Sequence, residues 1–588
     1  MKYRTLSKWD NPTACHGLIL FAQLVEELLF EYSLDTYKSS VMQTGTLCYE
    51  ALLTLKEIEA GNIKSPNRNH VLAELCASYD KDEVAKSLIS LPAASFMGIL
   101  KNPKSSNGEV KTVVELLLQD VAYARYKKRN EDLLISEIEG AQSAANIRKL
   151  TRSYLTTLTW GGWSHKHIQE VARKFFHYGP DRIGDSKAIR DFLSIFNDEQ
   201  KKYIAIFRVK KTFADIANSC SKIGVSIENP LSGELNAFEA RLPLAETGEV
   251  YAVIRELQGK DEFAARRIAE SKLRLAQTLL SLFHQKDPLT WVDECIVAEV
   301  DSKSTKILKK HINPMLKCVD RPVRPAGVRL EKLVEEFSLE DDSFAKFIRS
   351  ALLHTMAIKS DSGENQLLNL WIAIESLVPS ETKADDASNI EHIVSSLVPF
   401  LNVTYLRRLV NNLVKDLLRW DRHTTLEAFK DVEGAKFHEK LVRILVLPEY
   451  QSKLDLLEKN TKLFVLLQDR IDHFKLMFSS PSNICTVLET HTLRLEWQIR
   501  RIYRTRNIIV HSGVPPRFTE QLIEHSHDYL DIVLESLVRL ASNPSRIKSV
   551  AQGFKYVELR YKSYIQKISD SELVFDKQNI SDLVFPRA

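Results

Sequence analysis

The chain has 588 residues, 44% of them apolar and 27% charged, with a formal net charge of +4. Such a composition supplies several buried cores and excludes a wholly disordered chain, and the small net charge means that any nucleic-acid footprint is local. None of the seven cysteines forms a Cys-x-x-Cys pair, which argues against a disulfide framework or a zinc ribbon and for a reducing compartment.

Residues 1–145 read as a helical N-terminal domain. Leu18, Phe21, Leu24, Val25 and Leu28 share one helical face; Tyr49, Leu52, Leu53 and Ile58 mark a second helix, and Val113, Val114, Leu117, Leu118 and Val121 a third. The apolar run 17–30 contains Glu26 and Glu27 and, at about 1.5 Å per residue, falls short of a bilayer core of roughly 30 Å. It reads as a buried amphipathic helix. No signal segment or membrane span is expected, so a soluble, cytoplasmic protein is. The stretch Lys104–Gly108 reads as a loop.

Residues 146–325 read as an α+β middle domain. A helix pair ends at the turn Trp160-Gly-Gly-Trp163, with Ser164 as the expected N-cap of the next helix. Strands are predicted at Tyr203–Val209, Ile223–Ile227, Val250–Ile254 and Trp291–Val300, from their β-branched and aromatic residues, and a long helix at Glu262–Phe283. Gly179–Ser186 has the spacing of a phosphate loop, but Asp185 stands where the lysine belongs, so a plain loop is expected. Pro314, Pro322 and Pro325 mark a boundary.

Residues 326–545 read as a helical bundle and 546–588 as a mixed C-terminal extension. Helices are predicted at Leu330–Phe337, Phe344–Ala357, Gln366–Val378, Tyr405–Leu418, Tyr450–Leu457, Thr461–Leu476, Leu493–Val510 and Thr519–Ala541. The fold class is therefore mainly α. Glu524, His525, His527 and Asp528 are metal-capable, but the two histidines stand two apart and point to different faces, so a solvated helix surface is expected. His165 and His167 fail as a metal pair for the same reason, and no metal or other cofactor is expected.

The helix predicted at Leu493–Val510 is the most informative segment. Leu495, Ile499, Ile502 and Ile509 form an apolar stripe, while Arg494, Arg500, Arg501, Arg504 and Arg506 face a single acid, Glu496. His511-Ser-Gly-Val-Pro-Pro516 follows, and Gly513 with the two prolines is a strong helix stop that leaves His511 in or just beyond the last turn.

Arg506-Asn507-x-x-x-His511 at a helix end resembles the signature of HEPN domains, which are small helical bundles. Leu367-Leu-Asn-Leu-Trp-Ile-Ala-Ile-Glu375 upstream is similar to the earlier helix of the Apea-like subgroup. The resemblance covers roughly 200 residues and implies a HEPN-type bundle at 326–545. It also implies a metal-independent endoribonuclease acting on RNA, structured RNA such as tRNA among the candidates, and a homodimer whose two motifs line one cleft. His511 would move a proton and Arg506 would stabilise charge on phosphorus; Asn507 would orient the imidazole or bind a phosphate oxygen, and Glu375 would hold Arg506 or His511 in place. Arg500, Arg501 and Arg504 are expected to bind RNA phosphates. Large chains with one such C-terminal domain resemble bacterial defence and abortive-infection effectors, with residues 1–325 sensing a trigger or restraining the nuclease. The alternative is a non-catalytic scaffold for RNA binding or dimerisation.

Overall fold

The computed structural model describes residues 4–29, 42–244, 248–302, 304–310, 312–317, 320–385, 387–542, 547–570 and 572–586. The chain is mainly helical, with a five-stranded antiparallel sheet in the middle. Three bodies follow from where apolar side chains are buried.

The first core is helical and draws on distant parts of the sequence. Residues between Trp9 and Phe196 pack with Leu406–Leu488 and with Tyr564–Phe585. The expected border at 145/146 is corrected: the helix Ala144–Trp160 starts there and buries Ile147, Tyr154 and Leu158 in this same core. The C-terminal piece is likewise no loose extension. Its helix Val550–Ile568 runs through the protein, and the segment Ile580–Val584 is buried. The 545/546 border, Cys318, Phe30 and Ser571 lie outside the described residues.

The sheet body has strands β1 (Lys201–Lys210), β2 (Ser226–Glu228), β3 (Glu249–Gly259), β4 (Trp291–Glu299) and β5 (Thr305–Leu308) in the order β2-β3-β1-β4-β5. Side chains of β1 alternate across the pleat. Ala205, Phe207 and Val209 meet Ala265, Ala269 and Leu273 of the helix Glu262–Ser281, whereas Ile206 faces Leu231 and Leu242 on the other side. Three predicted strands are present and the fourth, expected at Ile223–Ile227, overlaps β2 only at Ser226 and Ile227; β5, only four residues long, gave no signal. Asp261 ties this body to the first. One of its oxygens caps the helix by accepting from Ala264 N (2.8 Å), and the other accepts from Ser164 N (2.7 Å). Ser164 precedes its helix as expected, but its hydroxyl makes no cap and instead accepts from Arg267 (3.2 Å).

The third body is a bundle built from Asp341–Lys359, Gly363–Leu377, the first half of Asn389–Trp420, the second half of Pro481–Ser512, Thr519–Ala541 and the start of Val550–Ile568. The prolines at 322 and 325 do not interrupt the chain; they open a helix, Val323–Glu336, as proline can where a first-turn N–H has no partner.

Two 32-residue helices, Asn389–Trp420 and Pro481–Ser512, join the first and third bodies. Each buries one half in each core, in opposite order along the chain. The first was legible only from Tyr405 onward, because Pro399 sits inside it. This is also the one described helix long and apolar enough to cross a bilayer, and 61% of that stretch is buried within the protein. Where the cores meet, Asn402 donates to Thr492 Oγ1 (2.7 Å) and Tyr561 Oη (2.8 Å), His491 bonds Asn402, and His491 stacks on Tyr405 with centroids 3.7 Å apart.

Candidate functional site

The helix carrying the Arg-Asn-x-x-x-His string spans Pro481–Ser512. Ser480 caps its start, accepting from Asn483 N (3.1 Å), and Pro481 occupies the first turn, where its missing N–H has no consequence. Gly513 ends it at φ +69°, with its N–H donating to Ile509 O (3.0 Å). His511 therefore lies within the last turn, exposed to solvent.

Arg506 and His511 are five residues apart. On a regular helix this is about 7.5 Å of rise, with the two side chains on different sides. Asn507 is one turn before His511 and nearer its face. The Arg506 Nη1 donates to Asn507 Oδ1 (2.9 Å), which draws the guanidinium toward that side. Asn507 is buried, and its oxygen is engaged by Arg506; among the described residues it makes no hydrogen bond to His511.

The other arginines of the helix are committed elsewhere. Arg501, 2% exposed, pairs through Nε with Glu50 (2.8 Å) and through Nη2 with Glu74, and also donates to Gln498 (3.0 Å). Arg504, equally buried, pairs with Glu50. Arg500 is held by Glu391 (2.7 Å) and Glu496 (3.1 Å). The expectation that Arg500, Arg501 and Arg504 present their charges to RNA phosphates is therefore corrected: helices from residues 44–79 and from 389–420 neutralise them. Burial pushes the Glu50 carboxyl up, but Arg501 and Arg504 outweigh this and hold it below its ordinary value. Burial raises the Glu74 carboxyl, and the nearby Glu50 adds to the rise, which Arg501 and Arg504 oppose without cancelling. Arg506 differs from these three. Among the described residues it has no carboxylate within ion-pair distance, and its buried Nε has no acceptor.

Glu375 is not where a positioning role requires it. Its side chain is exposed and has no hydrogen-bond or ion-pair partner among the described residues. The helix Gly363–Leu377 begins against Ile523, just after the motif, and reaches Tyr503 at Trp371 (centroids 5.7 Å apart). It thus runs opposite to the motif helix and carries Glu375 away from His511. The expected contact with Arg506 or His511 is corrected for this reason.

The loop after the motif, from Pro515 to Phe518, forms one wall of a cleft of roughly 3860 Å³ between the three bodies. Lysines and arginines outnumber carboxylates among its lining side chains, so a chain with a small overall charge concentrates cations here. Arg517 anchors the wall, donating to Trp160 O (2.9 Å) with its guanidinium over the Trp160 ring.

One histidine expectation also changes. His527 is buried, not part of a solvated surface, and faces His354 from the helix Asp341–Lys359. His167 pairs with Glu262 (3.2 Å). The loop 179–186 is a loop, pinned where Ile183 bridges to Trp9.

Compared with known proteins, the chain matches no family model, no curated protein and no solved structure.

Proposed function

We propose that the chain is a metal-independent endoribonuclease whose reaction centre is the exposed helix end bearing Arg506, Asn507 and His511. The observation that carries this reading is that Arg500, Arg501 and Arg504 are spent on carboxylates, whereas Arg506 has no carboxylate partner among the described residues and lies in the same helix end as the solvent-exposed His511. A ribose 2′-oxygen attacks the adjacent phosphorus, the bond to the 5′-oxygen breaks, and the products are a 2′,3′-cyclic phosphate and a 5′-hydroxyl. His511 exchanges the proton that one oxygen loses and the other gains, a task suited to an imidazole near neutral pH. Arg506 offsets the extra negative charge on the phosphoryl oxygens, and Asn507 orients its guanidinium. The resemblance of the motif to HEPN domains supports the same chemistry and a homodimer with two motifs facing one RNA, structured RNA such as tRNA being the first substrate to try. The grip of Glu50 and Glu74 on the motif helix supports a regulated enzyme, as in a toxin or anti-phage effector.

Incubation with total RNA tests this. Wild type yields cyclic-phosphate ends, while His511→Ala and Arg506→Ala retain the fold by circular dichroism and lose cleavage. Undiminished cutting by either folded variant overturns the assignment. A second reading, a non-catalytic dimerisation scaffold, is favoured by Val510 and Val514, which are 50% and 67% exposed on either side of His511. It expects a dimer with no RNA-cleaving activity.

A further inference from the structure

We propose that His354, His527 and Asp531 form a binding site for a divalent transition cation, zinc by its donor chemistry, on the wall of the central cleft and separate from the Arg506–His511 helix end. The three residues come from two helices. His527 and Asp531 stand one turn apart on Thr519–Ala541, so both project from one face. His354 reaches them from Asp341–Lys359.

The geometry is close to that of a ligand set. The donor atoms all lie within 4.8 Å of one another. His527 Nε2 is 3.3 Å from Asp531 Oδ2, and His354 Nε2 is 3.4 Å from Asp531 Oδ1. A tetrahedral cation with bonds of about 2.0–2.1 Å has donor–donor edges of about 3.3–3.4 Å. Two edges already have that length, and the third closes by a small rotation of either ring, whose centroids are 4.8 Å apart.

The same atoms are poorly used without a cation. His354 Nε2 is buried and makes no hydrogen bond, although a carboxylate stands beside it. A buried polar nitrogen left in this way is costly unless something else satisfies it. Burial pushes both imidazoles toward the neutral form, in which a ring nitrogen offers its lone pair. Burial also raises Asp531, with Asp528 and Glu535 nearby adding to the rise and His354 and Arg408 opposing it; its carboxyl titrates at about 6. A cation bound there relieves that crowding of carboxylates.

Two imidazoles and a carboxylate suit zinc and its first-row neighbours better than calcium or magnesium, which prefer all-oxygen shells. His527 and Asp531 both line the cleft, so a fourth position opens toward solvent or a bound molecule. Residue spacing alone does not reveal this site, since His354 lies 173 residues before His527 in the chain.

The test uses the full chain, stripped with chelator and titrated with Co²⁺, whose visible d–d bands report four- or five-coordination, followed by displacement with Zn²⁺. One equivalent is expected, with a rise in melting temperature. His354→Gln and Asp531→Asn, at partly exposed positions, should each weaken binding by more than about 100-fold, beyond the 10–100-fold typical of an outer-shell partner. His423→Ala, an exposed histidine outside the cluster, should leave binding unchanged. Circular dichroism on each variant separates loss of a ligand from loss of fold. Absence of a stoichiometric site in the folded wild type, or unchanged affinity in folded His354→Gln and Asp531→Asn, overturns the proposal. Neither outcome bears on RNA cleavage at His511.

Discussion

Replacing Glu50 with glutamine removes one charge from the centre of a buried network. Glu50 gives one oxygen to Arg501 and the other to Arg504, and all three side chains are almost fully buried. In Glu50→Gln, Arg501 keeps Glu74, but Arg504 has no other ion-pair partner among the described residues, and its Nε and Nη1 are already buried without acceptors. Removing one partner of a buried pair costs about 3–5 kcal/mol, mainly because the remaining charge is stranded. The amide still accepts one hydrogen bond, so the low end, about 3 kcal/mol, is expected. At about 2.1 cal/mol/K of unfolding entropy per residue, that is a fall of only about 2–3 °C if all 588 residues melt together. Urea unfolding, followed by circular dichroism, is the better assay. Arg504→Met keeps the apolar stem and removes the charge. In the Glu50→Gln background it should cost little or restore stability, giving a coupling of at least about 1.5 kcal/mol in the double-mutant cycle. A cycle additive to within about 0.5 kcal/mol, or a Glu50→Gln protein as stable as wild type, would refute the argument that this network clasps the N-terminal helices to the motif helix.

Glu375→Gln should change stability by less than about 0.5 kcal/mol, since the side chain is exposed and has no partner among the described residues, and RNA cleavage per folded molecule should stay at the wild-type level; a large loss of cleavage would contradict the observed direction of its helix. Gly513→Ala meets no neighbour within 4 Å, so only the left-handed backbone at φ +69° opposes it, at about 1 kcal/mol. Hydrogen exchange should then show fraying of the last turn around His511. Burial holds the His177 imidazole down at about 4 from an ordinary 6.5, with Arg4 and Lys8 adding to this and Glu26 opposing it. Because the unfolded chain takes up that proton first, the contribution is complete above about pH 6.5 and is lost as pH falls toward 4, on the order of 3 kcal/mol in all. His177→Leu should flatten the decline in urea midpoint over that range, and an unchanged slope would contradict it.

Local signals decided a good deal. Apolar spacing, with Gly513 as a stop, located the last turn of the motif helix and the full helix Thr519–Ala541. Runs of β-branched residues located four of five strands, β2 only in part, because the central strands β1 and β3 are buried on both faces and need such residues whatever surrounds them. The helix Asn389–Trp420 was half hidden because Pro399 reads as a breaker locally, and only packing against both cores offsets that cost. Other properties belong to no single segment. Arg500, Arg501 and Arg504 read as a phosphate-binding set, yet Glu50 and Glu74, more than 400 residues earlier, bury and neutralise two of them. Glu375 has apolar neighbours in sequence, yet it is exposed, because which side of a helix faces solvent is set by the helices around it. His354 gave no signal and His527 read as part of a solvated surface until Asp341–Lys359 was laid beside Thr519–Ala541. Sequence periodicity determines which faces must be buried, because water excludes apolar surface regardless of partner; which charges meet is decided only when the chain brings distant carboxylates and guanidiniums into the same water-free space.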